Sequence, residues 1–302
     1  MVEHRESATR SVEVDGAGAA GAGVGVPMVD PRGPGPSFEA HGGTNEARTG
    51  RARFGRAATA ALPVAFLAVL VLAWEIVGRQ PGQYLFPPPT KVVPFLGQAL
   101  ANGTLVGPLV GTLALLALGF VIAVPIGLIV GVLLALSEWA ENTLGPLVVA
   151  AYATPMVLII PVVGIYLGFG LAAKTLLVVA FAVFPIIVNT EAGVRNVPGS
   201  LEEVARSFGA SRRQVLRLVT AWAAMPQILV GLRLGLTRGF KGAILADVLL
   251  LVANVGSYLL KAQSTFNTTA LIAGVLAITT LGYLIVLIGL TAERLVIRRT
   301  GL

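Results

Sequence analysis

The sequence contains no cysteine, and its two histidines, His4 and His41, both lie in the polar N-terminal stretch. The absence of cysteine excludes a disulfide framework, a thiolate nucleophile and a cysteine-ligated metal site. The position of the two histidines excludes histidine-based catalysis in the apolar remainder of the chain. No His, Cys or carboxylate cluster lies in the long apolar runs, so no catalytic residue, metal ligand or bound cofactor is predicted, and the chain is not expected to be an enzyme.

Charged residues are scarce as well: they make up 12% of the 302 residues, whereas an average soluble domain carries about 25%. Hydrophobic residues make up 55%, and the mean hydropathy is +0.83. A soluble globule of this length needs a large polar exterior, because its surface still grows with chain length. The composition therefore excludes an ordinary soluble enzyme and indicates a protein whose solvent is the lipid bilayer.

The first part of the chain, residues 1–56, is rich in glycine, alanine and proline and follows neither a helical nor a strand period. It offers too little apolar surface to offset the entropy lost on ordering. This part is predicted to be a disordered tail, and residues 57–302 are predicted to form the membrane domain.

Long uncharged runs dominate the membrane domain, and about 20 apolar residues are enough for a helix to cross a bilayer. The sequence predicts an all-α integral membrane protein with six transmembrane helices. These lie near residues 57–74, 109–136, 144–169, 175–189, 240–255 and 270–290.

Basic residues are distributed unevenly over the predicted loops. Segments that would be cytoplasmic with the N-terminus inside carry 14 Lys or Arg residues, and the opposite segments carry 4. Cytoplasmic loops of membrane proteins carry such an excess. Both termini are therefore predicted to be cytoplasmic. The net charge of +7 is explained by membrane orientation and does not indicate nucleic-acid binding.

The loop between the fourth and fifth predicted spans has an ordered helical pattern. Ser200 with Glu203, and Ser211 with Gln214, each match a capping box, which begins a helix by satisfying its first N–H groups. Gly209 between them is suited to end the first helix in a left-handed conformation. A DNA-binding helix–turn–helix is disfavoured because membrane spans flank the pair, and a plain spacer needs no such order. The pattern favours a docking surface for a cytoplasmic partner.

The fifth predicted span contains two charged residues, Lys241 and Asp247. A charge in mid-membrane costs about 2.5–3.5 kcal/mol, so such groups normally face a bundle interior or a wet cavity. Asn254 lies seven residues beyond Asp247, which places both on one helical face as a polar stripe. Two interpretations remain open for Asp247: it lines a translocation pathway, or it makes an interhelical hydrogen bond that only holds the bundle together.

The segment Glu203-Val204-Ala205, followed by Gly209 and by Met225-Pro226, resembles the EAA loop of the membrane permeases of ATP-binding-cassette (ABC) importers. The flanking segments 189–195, 205–211 and 231–234 resemble the branch that takes up nitrate, sulfonates and taurine. The similarity covers about residues 57–302. Val204 replaces the middle alanine of the motif. Trp222 stands where many relatives have a first proline, which predicts a longer second helix.

This resemblance implies the type I ABC importer permease fold, with a coupling helix pair in the EAA loop, residues 195–226, between spans 4 and 5. It implies a cell-membrane subunit that works as a homodimer or pseudo-dimer with two ATPase subunits, which bind the ATP, and with an extracytoplasmic solute-binding protein. The chain contains no Gly-x-x-x-x-Gly-Lys-Ser/Thr nucleotide-binding sequence of its own. The residues implied in ATPase coupling are Glu202, Glu203, Ala205, Arg206, Gly209, Ala210 and Pro226. Those predicted for the pathway are Lys241, Asp247 and Asn254.

One alternative remains at this point, namely a stand-alone channel or secondary transporter with a cytoplasmic regulatory loop. Many secondary transporters carry internal repeats, and none is recognisable here. The permease prediction is therefore preferred, with a small solute such as a sulfonate, taurine or nitrate as its cargo.

Overall fold

The computed structural model describes residues 46–80, 86–250 and 254–300, with side chains described from residue 62 to residue 298 within these ranges. The chain divides into two units, Met1–Ala60 and Ala61–Leu302, and the second holds every site discussed below. The predicted tail lies outside the described residues except at its end, where the first helix begins at Glu46.

The described part of the chain is helical and contains no strand, so the predicted all-α class is confirmed. The helices are α1 (Glu46–Gly78), α2 (Pro89–Ala101), α3 (Val106–Leu136), α4 (Glu138–Ala153), α5 (Ile159–Leu167), α6 (Leu171–Arg195), α7 (Gly199–Ser207), α8 (Arg212–Gln214), α9 (Ala221–Leu249), α10 (Asn254–Ser264) and α11 (Thr268–Thr300). A 3₁₀ turn, Met156–Leu158, precedes α5, and a π-helical segment, Val215–Thr220, joins α8 to α9.

Among the described residues, four continuous helical segments are long and apolar enough to cross a membrane, and α4 with α5 forms a bent fifth candidate. The four segments are Val106–Leu136, Leu171–Arg195, Arg212–Leu249 and Thr268–Arg298. The apolar part of α1, Leu62–Gly78, is shorter. The second, fourth and sixth predicted spans thus coincide with α3, α6 and α11.

The third predicted span is not one straight helix. α4 ends at Ala153, Thr154 is extended with ψ 133°, and the chain then bends by 84° before α5. The cause is Pro155, which lacks an N–H group and disfavours helical geometry in the residue before it. The third predicted span, near 144–169, is therefore a bent pair of helices rather than one straight helix.

The fifth predicted span, 240–255, is wrong in its bounds. An unbroken helix runs from Arg212 to Leu249, so most of the predicted loop between spans is helix. Pro226 lies inside this helix without ending it, which confirms the expected longer second helix. Asn254 begins the separate helix α10, so it is not on one helical face with Asp247.

Helix α6 lies at the centre of the bundle, between α3 and α9. The contact with α9 is close because small residues face α6: a Cβ atom added at Gly235 would lie 2.7 Å from Ile186 Cγ1 and 2.8 Å from the Ala182 carbonyl oxygen. Small residues allow helices in lipid to approach closely and gain van der Waals contact. Ala182 and Ile186 are fully buried there, so this central packing positions the polar groups described next.

Candidate functional site

The EAA loop begins with α7, which carries most of the residues predicted for coupling. The helix starts at Gly199 after Pro198, and no side chain caps it. The predicted capping box of Ser200 and Glu203 is therefore wrong, because Ser200 already lies inside the first turn. Six of the predicted residues lie together on α7 and the turn after it, namely Glu202, Glu203, Ala205, Arg206, Gly209 and Ala210. Pro226 lies apart, within α9.

A left-handed turn ends α7 at Gly209, whose φ is +80° as the sequence predicts. The amide of Gly209 donates to the Arg206 carbonyl oxygen at 2.9 Å, and that of Ala210 to the Ala205 carbonyl oxygen at 3.1 Å. These bonds satisfy carbonyl groups that the end of a helix would otherwise leave free. The chain reverses here without losing backbone hydrogen bonds.

The second predicted capping box is confirmed at the start of α8. The Ser211 hydroxyl accepts from the Gln214 amide at 3.4 Å, and the Gln214 side chain accepts from the Ser211 amide at 2.8 Å. The turn is thus held between two defined helix ends. Thr220, which is buried, also donates to a carboxylate oxygen of Glu202 at 3.5 Å and ties α7 to the long helix behind it.

One face of α7 is apolar and exposed. Leu201, Val204 and Phe208 are 44%, 55% and 88% exposed. Glu203 and Arg206 are exposed beside them. An exposed apolar group of this kind with a charged rim is typical of a protein–protein contact surface. We call Leu201, Val204 and Phe208 the α7 face.

A second polar cluster lies inside the bundle around Asp247, which is fully buried. Lys174 Nζ lies 2.7 Å from Asp247 Oδ1, and Thr112 Oγ1 donates to Asp247 Oδ2 at 2.7 Å. The Asn254 side-chain amide also donates to Oδ1, at 3.2 Å. The cluster joins α3, α6, α9 and α10. These contacts are the ones expected if Asp247 holds the bundle together by interhelical hydrogen bonds.

Asn254 reaches Asp247 across the break between α9 and α10 rather than along one helix. Its φ is +60°, an uncommon conformation that asparagine tolerates better than most residues. It is packed so tightly against α3 that any side chain at Gly111 would overlap its amide group. Asp247 and Asn254 are thus in contact, but from two different helices and not as the predicted polar stripe on one helical face.

Lys174, the ion-pair partner of Asp247, is not among the site residues that the sequence predicts. It is 4% exposed within α6. One feature of the sequence could have identified it. In the predicted topology Lys174 lies directly before the fourth span and Asp247 lies in the middle of the fifth, and a buried carboxylate needs a cation.

Lys241 belongs to neither of these clusters. It lines a pocket of about 300 Å³ together with Arg238, and both residues lie within the candidate membrane-crossing helix Arg212–Leu249. The Arg238 guanidinium lies 4.5 Å from the centre of the Tyr152 ring. The predicted pathway residues are therefore divided: Asp247 and Asn254 lie together, and Lys241 lies in a different place.

Comparison with known proteins gives consistent results. The profile of the family described as "Binding-protein-dependent transport system inner membrane component" matches residues 123–301. The riboflavin transport system permease protein RibX of Chloroflexus aurantiacus is 34% identical over 241 residues, which cover 78% of this chain and 89% of RibX. The taurine transport system permease protein TauC of Escherichia coli is 30% identical over 74% of this chain and 84% of TauC. The putative aliphatic sulfonates transport permease protein SsuC of Bacillus subtilis is 29% identical over 78% of this chain and 85% of SsuC.

The fold also has a solved counterpart. A structure of the MetNI methionine ABC transporter, in inward-facing conformations, aligns with a TM-score of 0.54 at 23% identity. The alignment covers 61% of this chain and 92% of the matched chain. The described helices therefore share the fold of that permease chain.

Proposed function

Because this chain belongs to the family of binding-protein-dependent transport system inner membrane components, it is a multi-pass permease subunit of an ABC importer, and we propose that it carries a small anion of the sulfonate, taurine or nitrate kind. Importers of this family work with an ATPase and a solute-binding protein. The alternative of a stand-alone channel or secondary transporter is set aside, since the family consists of components of multi-subunit systems.

The EAA loop docks on the partner ATPase in this proposal, with the α7 face entering a groove on that subunit. The observation that carries the proposal is the exposure of the α7 face. Phe208 in particular is strongly apolar and yet 88% exposed. Glu203 and Arg206 supply charged contacts at its rim. ATP binding then moves α7, and the tie from Glu202 to Thr220 transmits the movement to α9. A ligand shifts a conformational equilibrium only by contacts that differ between the two states, and this docking surface provides them.

The proposed assembly contains two copies of this chain, two ATPase subunits on the cytoplasmic side and a binding protein outside. Both termini are cytoplasmic in this arrangement. The excess of Lys and Arg in the segments on that side supports the orientation.

Copurification and uptake test the proposal. The tagged chain is expressed with its ATPase and binding protein, and both ATPase recovery and uptake of radiolabelled taurine are measured. Phe208→Asp should remove ATPase recovery and uptake together, because it places a charge in an apolar contact. Phe266→Asp is the matched control for ATPase recovery, since Phe266 is 82% exposed and lies between α10 and α11, outside the candidate membrane spans. Full recovery of the ATPase with Phe208→Asp would contradict the docking assignment.

A further inference from the structure

Arg238 and Lys241 form a pair of cations on one side of α9. Residues three apart in a helix are neighbours on its surface. Both side chains are exposed, and no carboxylate of the described residues lies within ion-pair distance of either. Lys241 lies eight residues before the end of α9 at Leu249, which is about 12 Å along the helix axis. The pair therefore lies more than two turns inside the candidate membrane-crossing helix Arg212–Leu249.

Uncompensated charge at this depth calls for a specific cause. Charged side chains within membrane spans pair with one another or face a water-filled cavity, and they mark substrate and ion pathways. Asp247 on the same helix is paired, because Lys174 neutralises it. Arg238 and Lys241 instead face a cavity, because both line the pocket of about 300 Å³. Two positive charges without a negative one leave a site for an anion.

The opposite wall of the pocket is the break between α4 and α5. Tyr152, Thr154 and Met156 line it there, on both sides of the 84° bend. Non-helical backbone at membrane depth is tolerated only where it is buried in protein or lines a cavity. The break and the cation pair are thus two independent features that meet at one cavity.

Aromatic side chains determine how an anion could lie in this pocket. The guanidinium of Arg238 lies over the Tyr152 ring at 4.5 Å, and this contact holds the arginine by cation–π attraction without using its N–H donors. Those donors match two oxygens of a planar or tetrahedral oxyanion. Phe181 and Phe184 supply an apolar wall for a short carbon chain.

We propose that this pocket binds the anionic head group of the transported solute, a sulfonate or similar oxyanion, between Arg238 and Lys241. The inference rests on the proposed function for the identity of the solute. The site itself follows from the pocket, the break and the unpaired cations. It makes the permease a second point of selection, after the binding protein, because only a solute with a compact negative group compensates both cations.

Equilibrium binding of radiolabelled ethanesulfonate to the purified permease–ATPase complex tests the site without the binding protein. The complex is held in phosphatidylcholine nanodiscs, which contain no anionic lipid. Arg238→Gln and Lys241→Gln should each weaken binding by about tenfold or more, the loss expected when one charge-assisted hydrogen bond is removed. Arg238→Lys should retain part of the affinity. Lys91→Gln removes an equal charge from an exposed position on α2 and should bind as the unaltered chain does.

The outcomes separate this site from the proposed function. If taurine uptake is normal but the pocket variants bind and transport like the unaltered chain, the site is overturned and the importer function stands. If another solute is carried while ethanesulfonate still binds through Arg238, the site stands and the proposed cargo is wrong. If phosphatidylglycerol abolishes ethanesulfonate binding by competition, the pocket holds a lipid phosphate and the proposal is overturned.

Discussion

Lys174 and Asp247 form a buried ion pair between α6 and α9, with 2.7 Å between the ammonium nitrogen and the carboxylate oxygen. The two side chains are 5% and 0% exposed. Hydrogen bonds from Thr112 and Asn254 complete the shell around the carboxylate. A buried ion pair with all its partners present is tolerated, whereas one that has lost a partner leaves an uncompensated charge. The cluster thus fixes how four helices meet.

Asp247→Asn should therefore impair the bundle itself. It leaves the Lys174 charge buried without a counter-ion, a change that typically costs about 3–5 kcal/mol. The expected result is a lower unfolding temperature of the purified complex and reduced ATPase recovery. The double variant Lys174→Met with Asp247→Asn should regain much of the lost stability, because no charge remains. If Asp247→Asn assembles normally and loses only uptake, the pathway interpretation is favoured instead.

Gly209→Val should uncouple transport from ATP hydrolysis. Gly209 has a φ of +80°, where a β-branched residue is strained by about 1 kcal/mol or more. The membrane bundle does not depend on this turn, so the protein should insert normally. Uptake should fall relative to ATPase activity in reconstituted vesicles. Gly209→Asn is the control, because asparagine tolerates this conformation, and it should keep most of the coupling.

Glu203→Lys should weaken ATPase recovery without altering the fold. The Glu203 side chain is exposed, and α7 has no side-chain cap for the substitution to break. Any loss therefore arises at the contact surface, through reversal of charge beside the α7 face. Copurification at low and high salt measures this, because exposed charge contacts are screened by salt. An unchanged recovery at low salt would place Glu203 outside the docking surface.

Gly235→Ala should destabilise the bundle although alanine is the better helix former. Its Cβ atom would lie 2.7 Å from Ile186 Cγ1, so α6 and α9 would have to separate. Overpacking of this kind typically costs about 1–3 kcal/mol. Gly97→Ala on α2 is the matched control, since no atom lies within 4 Å of the added Cβ atom there. Thermal unfolding of both variants in the same detergent gives the comparison.

Local features of the chain were predictable from the sequence because each depends on neighbouring residues. The scarcity of charge and the long apolar runs determined an all-helical membrane protein. The positive φ of Gly209 and the capping box of Ser211 with Gln214 followed from residue types three or four positions apart. The motif around Glu203 also indicated the family, since it lies within one short segment.

Only the tertiary structure decided which groups surround the charged residues of the membrane-crossing helices. Lys174 neutralises Asp247 from 73 positions away in the chain, and no periodicity links the two. Pro226 and Pro155 are both prolines within apolar surroundings, yet α9 continues through the first and the chain bends at the second. Arg238 and Lys241 share one pocket with Tyr152, which lies on a different helix. Such outcomes depend on which distant groups satisfy a buried charge or a freed backbone group, and that is determined by packing rather than by local sequence.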